Sequence, residues 1–176
     1  MLKAAIKREE NDARINYPER KQARTKFNVQ CSMKILNSIK YIIVHCTATR
    51  CNKPFSVEKL INCGKDKFGQ CSYHYYVRCD GTVIPLLPES VQGVHARGYN
   101  SCSLGVVYEG GLDENGKEAD TRTEQQKHAL YELLKALAHD YPDARILGHC
   151  ELPGVHKRCP CYTASKEYTD LQPQAK

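Results

Sequence analysis

The sequence has 176 residues, which is enough for one domain with its own hydrophobic core and some residues to spare. It is 41% hydrophobic and 26% charged, and no segment approaches the roughly 18 consecutive apolar residues that a membrane-spanning helix needs. The first residues lack the apolar stretch of a secretory signal, so synthesis in the cytoplasm without a signal peptide is expected.

The N-terminal segment carries the whole net charge. Residues 1–40 hold ten Lys or Arg and four acids, so 10 − 4 = +6, which equals the net charge of the chain. Blocks of charge with few apolar residues rarely fold, so we predict a basic, flexible leader over residues 1–37. A solvated leader is favoured over one that binds a polyanion, and no specific nucleic-acid partner is expected. We predict a folded domain over 38–168 and a C-terminal tail over 169–176.

The first predicted elements are a strand, a helix and a hairpin. The nearly unbroken apolar run at 39–45 predicts a central buried strand. Ser56 is a good N-cap for a helix that continues to about Phe68. Two runs rich in β-formers, 72–77 and 82–86, flank an Asp-Gly pair, which predicts a β-hairpin.

The second half of the sequence predicts a strand at 104–108, a helix at 123–139 and a last strand at 144–148. The helix has capping-box spacing at its start and leucines at 130, 133, 134 and 137, which form one apolar stripe. The order of the elements, β-α-β-β-β-α-β, predicts an α/β (α+β) fold with a central mixed β-sheet flanked by helices.

Two histidines and a cysteine follow predicted strands. His45 ends the central strand, His149 follows the last strand, and Cys159 lies ten residues further on. Ligands gather at the carboxyl ends of strands in open sheets. Two imidazoles and one thiolate fill three corners of a zinc tetrahedron and leave the fourth for water. The spacing also permits His156 as a ligand in place of one of these.

The chain has ten cysteines, but no compact spacing that indicates a disulfide framework. Most of them are therefore interpreted as reduced thiols. Cys46 and Cys150 each follow a candidate histidine directly, and neighbours on an extended strand point to opposite faces. If the two histidines face a metal, these two thiols face away from it.

Five segments in order resemble the type 2 N-acetylmuramoyl-L-alanine amidases. They are VHCTAT at 44–49, YHYYVRCDGTV at 73–83, GVHARGYN at 93–100, SLGV at 103–106, and GH followed by KRCP within 148–160. That family includes phage lysozymes of the amidase type and the peptidoglycan recognition proteins. The resemblance covers about residues 38–165.

The resemblance implies a zinc enzyme that cuts the amide bond between N-acetylmuramic acid and L-alanine in bacterial peptidoglycan. It implies Zn²⁺ ligands at His45, His149 and Cys159. The catalytic residues it implies are Tyr73 and Lys157, and the substrate-binding residues are His95 and Asn100. We expect a monomer that reaches the cell wall after release from the cell, as a phage or prophage endolysin does.

Two alternatives remain at this point. The chain resembles recognition proteins that bind peptidoglycan without cutting it, although such relatives commonly lack the cysteine that this chain has at position 159. A purely structural zinc domain would need a fourth protein ligand, for which Cys161 and His156 are candidates.

Overall fold

A five-stranded mixed sheet forms the centre of the computed structural model, which describes residues 34–36 and 38–174. The strand order is β4-β3-β5-β1-β7; β4 is antiparallel to β3, and the other neighbours are parallel. A second, two-stranded sheet pairs β2 with β6. The strands are β1 Tyr41–Cys46, β2 Thr49–Arg50, β3 Tyr75–Val77, β4 Val83–Pro85, β5 Ser103–Tyr108, β6 Gly111–Leu112 and β7 Arg145–Gly148. The predicted central mixed sheet is confirmed.

Within residues 38–174, three α-helices accompany the sheet: α1 Val57–Phe68, α2 Glu124–Asp140 and the short α3 Ala164–Glu167. The Ser56 side chain caps α1, which ends at Gly69 with a φ of 73°. Thr123 and Gln126 form the predicted capping box of α2. Turns of 3-10 helix cover Asn100–Cys102, His149–Glu151 and Thr169–Leu171. No helix within the described residues is long and apolar enough to cross a membrane.

The two faces of the sheet are covered by different helices. The α2 leucines pack against Ile42 and Val44 of β1, and α3 belongs to the same cluster. On the opposite face, α1 packs near Val107, which is the neighbour of His45 in the β1–β5 register. Side chains alternate along a strand, so His45 points away from α2. Cys46 belongs to the α2 cluster, as the alternation predicts.

Both ends of the described chain contact the domain. The predicted leader lies outside the described residues except for 34–36, where the Leu36 N–H donates to the Ser90 carbonyl at 2.9 Å. In the segment predicted as the C-terminal tail, the amide of Gln172 donates to the Ile146 carbonyl and accepts from the Ile146 N–H, at 2.8 and 3.1 Å. Gln172 thereby satisfies the backbone of the edge strand β7.

His74 lies fully buried beside β3 and joins two segments. Its Nδ1 accepts from the Gly105 N–H at 2.9 Å, and its Nε2 donates to the Val91 carbonyl at 2.9 Å. Both partners fix the ring in the neutral form, because a second ring proton would face the Gly105 N–H. Burial lowers the pKa of His74 to about 4.

We therefore expect the metal-free protein to lose stability as the pH falls from about 6.5 to 4. In that window His74 binds a proton in the unfolded chain, where its pKa is near 6.5, but stays neutral in the folded protein. The contribution of His74 to the free energy of unfolding is fully present above the histidine pKa of the unfolded chain. Below that pKa it falls by roughly 1.4 kcal/mol per pH unit. Urea unfolding at a series of pH values measures the loss. An NMR titration of the His74 ring near pH 6.5 in the folded protein would contradict the assignment.

Candidate metal centre

Three side chains from separate elements meet at one edge of the sheet. His45 is the fifth residue of β1 and is buried, His149 opens the 3-10 turn after β7, and Cys159 lies in the loop that follows. One ligand atom of each lies within 4.8 Å of the others. The structure thus brings together the three residues that the sequence suggested as ligands.

The donor set fits a zinc ion. The Cys159 Sγ and His45 Nδ1 atoms are 3.8 Å apart. Tetrahedral zinc with bonds of about 2.05 Å to nitrogen and 2.3 Å to sulfur places two such ligand atoms about 3.6 Å apart. The side chains are therefore close to coordinating positions without a large movement.

The two other candidate ligands lie outside this cluster. His156 is exposed, and the Cys161 thiol donates to the Gly111 carbonyl at 3.3 Å. Over the described part of the chain, no further group of three such side chains comes as close together. Three protein ligands with no fourth beside them are typical of a catalytic zinc site, where the fourth position admits water or substrate.

Backbone groups hold the cysteine in place. The Cys46 N–H donates to the Cys159 sulfur at 3.2 Å, and the Cys150 N–H donates to the Cys159 carbonyl at 2.6 Å. The hydrogen bond from the Cys46 N–H fixes the position of the sulfur, which is the atom that would bind a metal. Cys46 and Cys150, which directly follow the two histidines, thus hold Cys159 through their backbone N–H groups. Their own thiols lie outside the cluster of candidate ligands.

Both candidate imidazole ligands favour the neutral form. Burial, followed by the nearby His95 and His149 and then Lys157, holds the pKa of His45 well below its usual value. Burial and then Lys157 also lower the pKa of His149. A neutral imidazole has a free lone pair, so the site is prepared for a cation at neutral pH.

Tyr73 and Lys157 border the same site. The Tyr73 ring lies edge-on to His45, with centroids 5.2 Å apart. Burial, with a further contribution from Cys159, raises the pKa of Tyr73 above its usual value, so its hydroxyl stays protonated. Lys157 is exposed, and its charge acts on both His45 and His149. The site therefore has a protonated tyrosine hydroxyl and an exposed lysine side chain near the three candidate ligands.

The sequence matches the profile of the N-acetylmuramoyl-L-alanine amidase family over residues 36–162. The chain belongs to this family. The endolysin of Enterobacteria phage K11 is 36% identical over 120 residues, which cover 68% of this chain and 78% of the endolysin.

Solved structures of amidases have the same fold as this family member. The amidase LysC from Clostridium intestinale is 26% identical, with a TM-score of 0.64 over 81% of this chain and 91% of LysC. The bumblebee protein PGRP-SA is 21% identical, with a TM-score of 0.63 over 82% of this chain and 89% of that one. The latter likeness shows the shared fold alone.

In this amidase-family chain, His95 and Asn100 contact other parts of the protein. His95 is only 9% exposed, and its Nδ1 lies 3.1 Å from the Nε2 of His45. The Asn100 Oδ1 accepts from the N–H groups of His95 and Ala96, at 2.9 and 2.7 Å. Asn100 thus shapes the loop that holds His95. The substrate contacts suggested for both residues stay predictions.

The contact between His95 and His45 was not predicted from the sequence. Two glycines were the available signal, since a Cβ at Gly93 would lie 3.1 Å from the His95 ring and one at Gly105 only 2.6 Å from it. Glycines that flank a histidine motif can indicate a ring packed directly against backbone.

Proposed function

We propose that this chain is a zinc-dependent N-acetylmuramoyl-L-alanine amidase, which hydrolyses the bond between N-acetylmuramic acid and L-alanine in peptidoglycan. The cluster of His45, His149 and Cys159 carries the proposal, because the described residues offer zinc these three ligands and no fourth beside them. Membership of the amidase family supports the choice of the muramoyl amide as substrate.

Tyr73 and Lys157 are proposed as the catalytic side chains. Zinc, when bound, supplies a Lewis acid that polarises the amide carbonyl and makes water nucleophilic at neutral pH. Negative charge then develops on the carbonyl oxygen, and the Lys157 ammonium stabilises it. The Tyr73 hydroxyl donates a hydrogen bond to the same oxygen or orients the water. Either residue supplies the proton that the departing amine of L-alanine requires.

The proposed place of action is the bacterial cell wall. Several relatives of this chain are named as endolysins of phages, including those of phage K11 and Escherichia phage T7. We infer that this chain likewise acts as a monomer on the wall after release from the cell in which it is made.

Digestion of purified peptidoglycan tests the proposal against the recognition-module alternative. The amidase reaction leaves a free carboxyl on the lactyl group of muramic acid and a free amino terminus on L-alanine, and mass spectrometry detects both. Retention of the protein on peptidoglycan without these products would favour a binding module. New reducing ends on the glycan would indicate a glycosidase and contradict the proposal.

A further inference from the structure

Four groups form a continuous hydrogen-bonded chain behind the metal centre. The His45 Nε2 and His95 Nδ1 atoms are 3.1 Å apart, and the His95 Nε2 and Ser103 Oγ atoms are 3.4 Å apart. The Ser103 hydroxyl donates to the Tyr99 carbonyl at 2.7 Å. His45, His95 and Ser103 are all buried, so water does not compete freely for these bonds.

The Tyr99 carbonyl, which ends this series of hydrogen bonds, fixes the direction of every bond in it. A backbone carbonyl only accepts, so the single Ser103 hydrogen points to Tyr99. The Ser103 oxygen can then only accept from His95, which places the His95 proton on Nε2. The Nδ1 of His95 must consequently accept, and His45 must donate from its Nε2.

This direction determines which nitrogen of His45 is free. With its proton on Nε2, neutral His45 has its lone pair on Nδ1, the atom that lies 3.8 Å from the Cys159 sulfur. The opposite tautomer would aim an N–H at the metal site and would leave two acceptors facing each other between His45 and His95. Two buried acceptors without a donor between them destabilise this tautomer.

Two glycines make room for His95 in this position. A Cβ at Gly105 would lie 2.6 Å from the Cγ of His95, and one at Gly93 would lie 3.1 Å from its Cδ2. Gly105 is in β5, and its register partner in β1 is Ile43, two residues before His45. The ring of His95 therefore lies directly on the backbone of the sheet, at the depth where it meets His45.

We propose that His95 is a positioning residue for the zinc ligand His45: anchored by Ser103 and the Tyr99 carbonyl, it holds the His45 ring in place with the Nδ1 lone pair turned toward the metal. The inference rests on the proposed zinc site. It gives His95 a role that acts through His45 and requires no contact with the substrate. Ligating histidines are commonly held by such outer partners, whose loss typically costs about 10–100-fold in metal affinity.

A pair of variants with nearly the same shape separates hydrogen bonding from packing. Asparagine at position 95 keeps an acceptor oxygen near the place of the Nδ1 atom, whereas leucine fills similar space without one. His95→Leu should weaken zinc binding by about 10–100-fold in a chelator competition assay, and His95→Asn should stay within a few-fold of the wild type. Equal losses in both variants, or no loss in either, would overturn the proposal.

The wild-type protein offers a test that no folding defect can disturb. Long-range ¹⁵N–¹H correlation spectra of the metal-free protein identify which ring nitrogen carries each proton. The proposal predicts protons on the Nε2 atoms of both His45 and His95. A proton on His45 Nδ1, or an unresolved mixture of tautomers, would overturn it.

These results are separable from the fate of the proposed function. Zinc affinity and ring tautomers are measured without substrate, so a protein that failed to cut peptidoglycan would refute the amidase assignment and leave the role of His95 to be judged separately. A direct substrate contact would instead appear as a raised KM in both variants with unchanged zinc affinity. That pattern would replace the positioning role with the substrate-binding role suggested by the sequence.

Discussion

Replacement of Cys159 by serine is expected to remove zinc and turnover together. A serine hydroxyl stays protonated at neutral pH and is a harder, weaker ligand for zinc than a thiolate. The Cys46 N–H, whose nitrogen lies 3.2 Å from the Cys159 sulfur, would also lose its sulfur acceptor. Metal content should fall well below one zinc per chain, and activity should fall to background. The midpoint of thermal unfolding, measured in the presence of zinc, should fall as well. A ligand that binds only the folded state stabilises that state by mass action.

Cys150→Ser is the matched control for this experiment. Cys150 directly follows the ligand His149, but its sulfur lies outside the cluster and 3.9 Å from the Tyr162 carbonyl. It tests the loss of a neighbouring thiol without the loss of a ligand, and it should retain zinc and turnover. Metal analysis of both purified variants gives the result directly. If Cys150→Ser lost the metal and Cys159→Ser kept it, the ligand assignment would be wrong.

Tyr73→Phe and Lys157→Ala are expected to keep stoichiometric zinc and lose turnover. Both side chains are proposed to act on charge that develops in the transition state, so the loss should appear in kcat more than in KM. Removal of one such donor typically costs about 10²–10³-fold in kcat. Tyr73→Phe keeps the ring that packs on His45 at a centroid distance of 5.2 Å, so only the hydroxyl is tested.

Arg158→Ala provides the control for the charge on the loop. Arg158 is exposed and adjacent to Lys157, so its replacement removes one positive charge from the same segment. Steady-state kinetics on a soluble muramoyl peptide, with zinc content measured in parallel, compares the three variants. If Lys157→Ala were no slower than Arg158→Ala, Lys157 would contribute only to the local field. Near wild-type turnover in Tyr73→Phe would show that the hydroxyl is not needed for catalysis and that Tyr73 contributes only through the packing of its ring.

The long, regular elements could be predicted because their patterns are continuous. The apolar run that ends at His45 predicted β1. The capping-box spacing together with the leucine stripe predicted α2 to within one residue of its observed start. The two-residue strands β2 and β6 and the four-residue α3 are too short to show any periodicity. Their positions depend on contacts with distant parts of the chain, which a local pattern does not contain.

The site was predictable where a strand determines the direction of the side chain. Alternation along β1 correctly placed Cys46 on the opposite face from His45. The loop from His149 to Cys159 has no such period, so spacing alone also permitted His156 as a ligand. The family resemblance favoured His45, His149 and Cys159 instead. Long-range hydrogen bonds set the geometry there, including that from the Cys150 N–H to the Cys159 carbonyl at 2.6 Å.

Zinc titration during digestion of purified peptidoglycan tests the central claim most directly. Metal-free protein should release no new L-alanine amino termini. Added zinc should restore their release in proportion, with a plateau at one zinc per chain, because the described residues hold one cluster of three ligands. Full activity in the metal-free protein, or fully loaded protein that binds peptidoglycan and releases no amino termini, would contradict a zinc amidase centred on His45, His149 and Cys159.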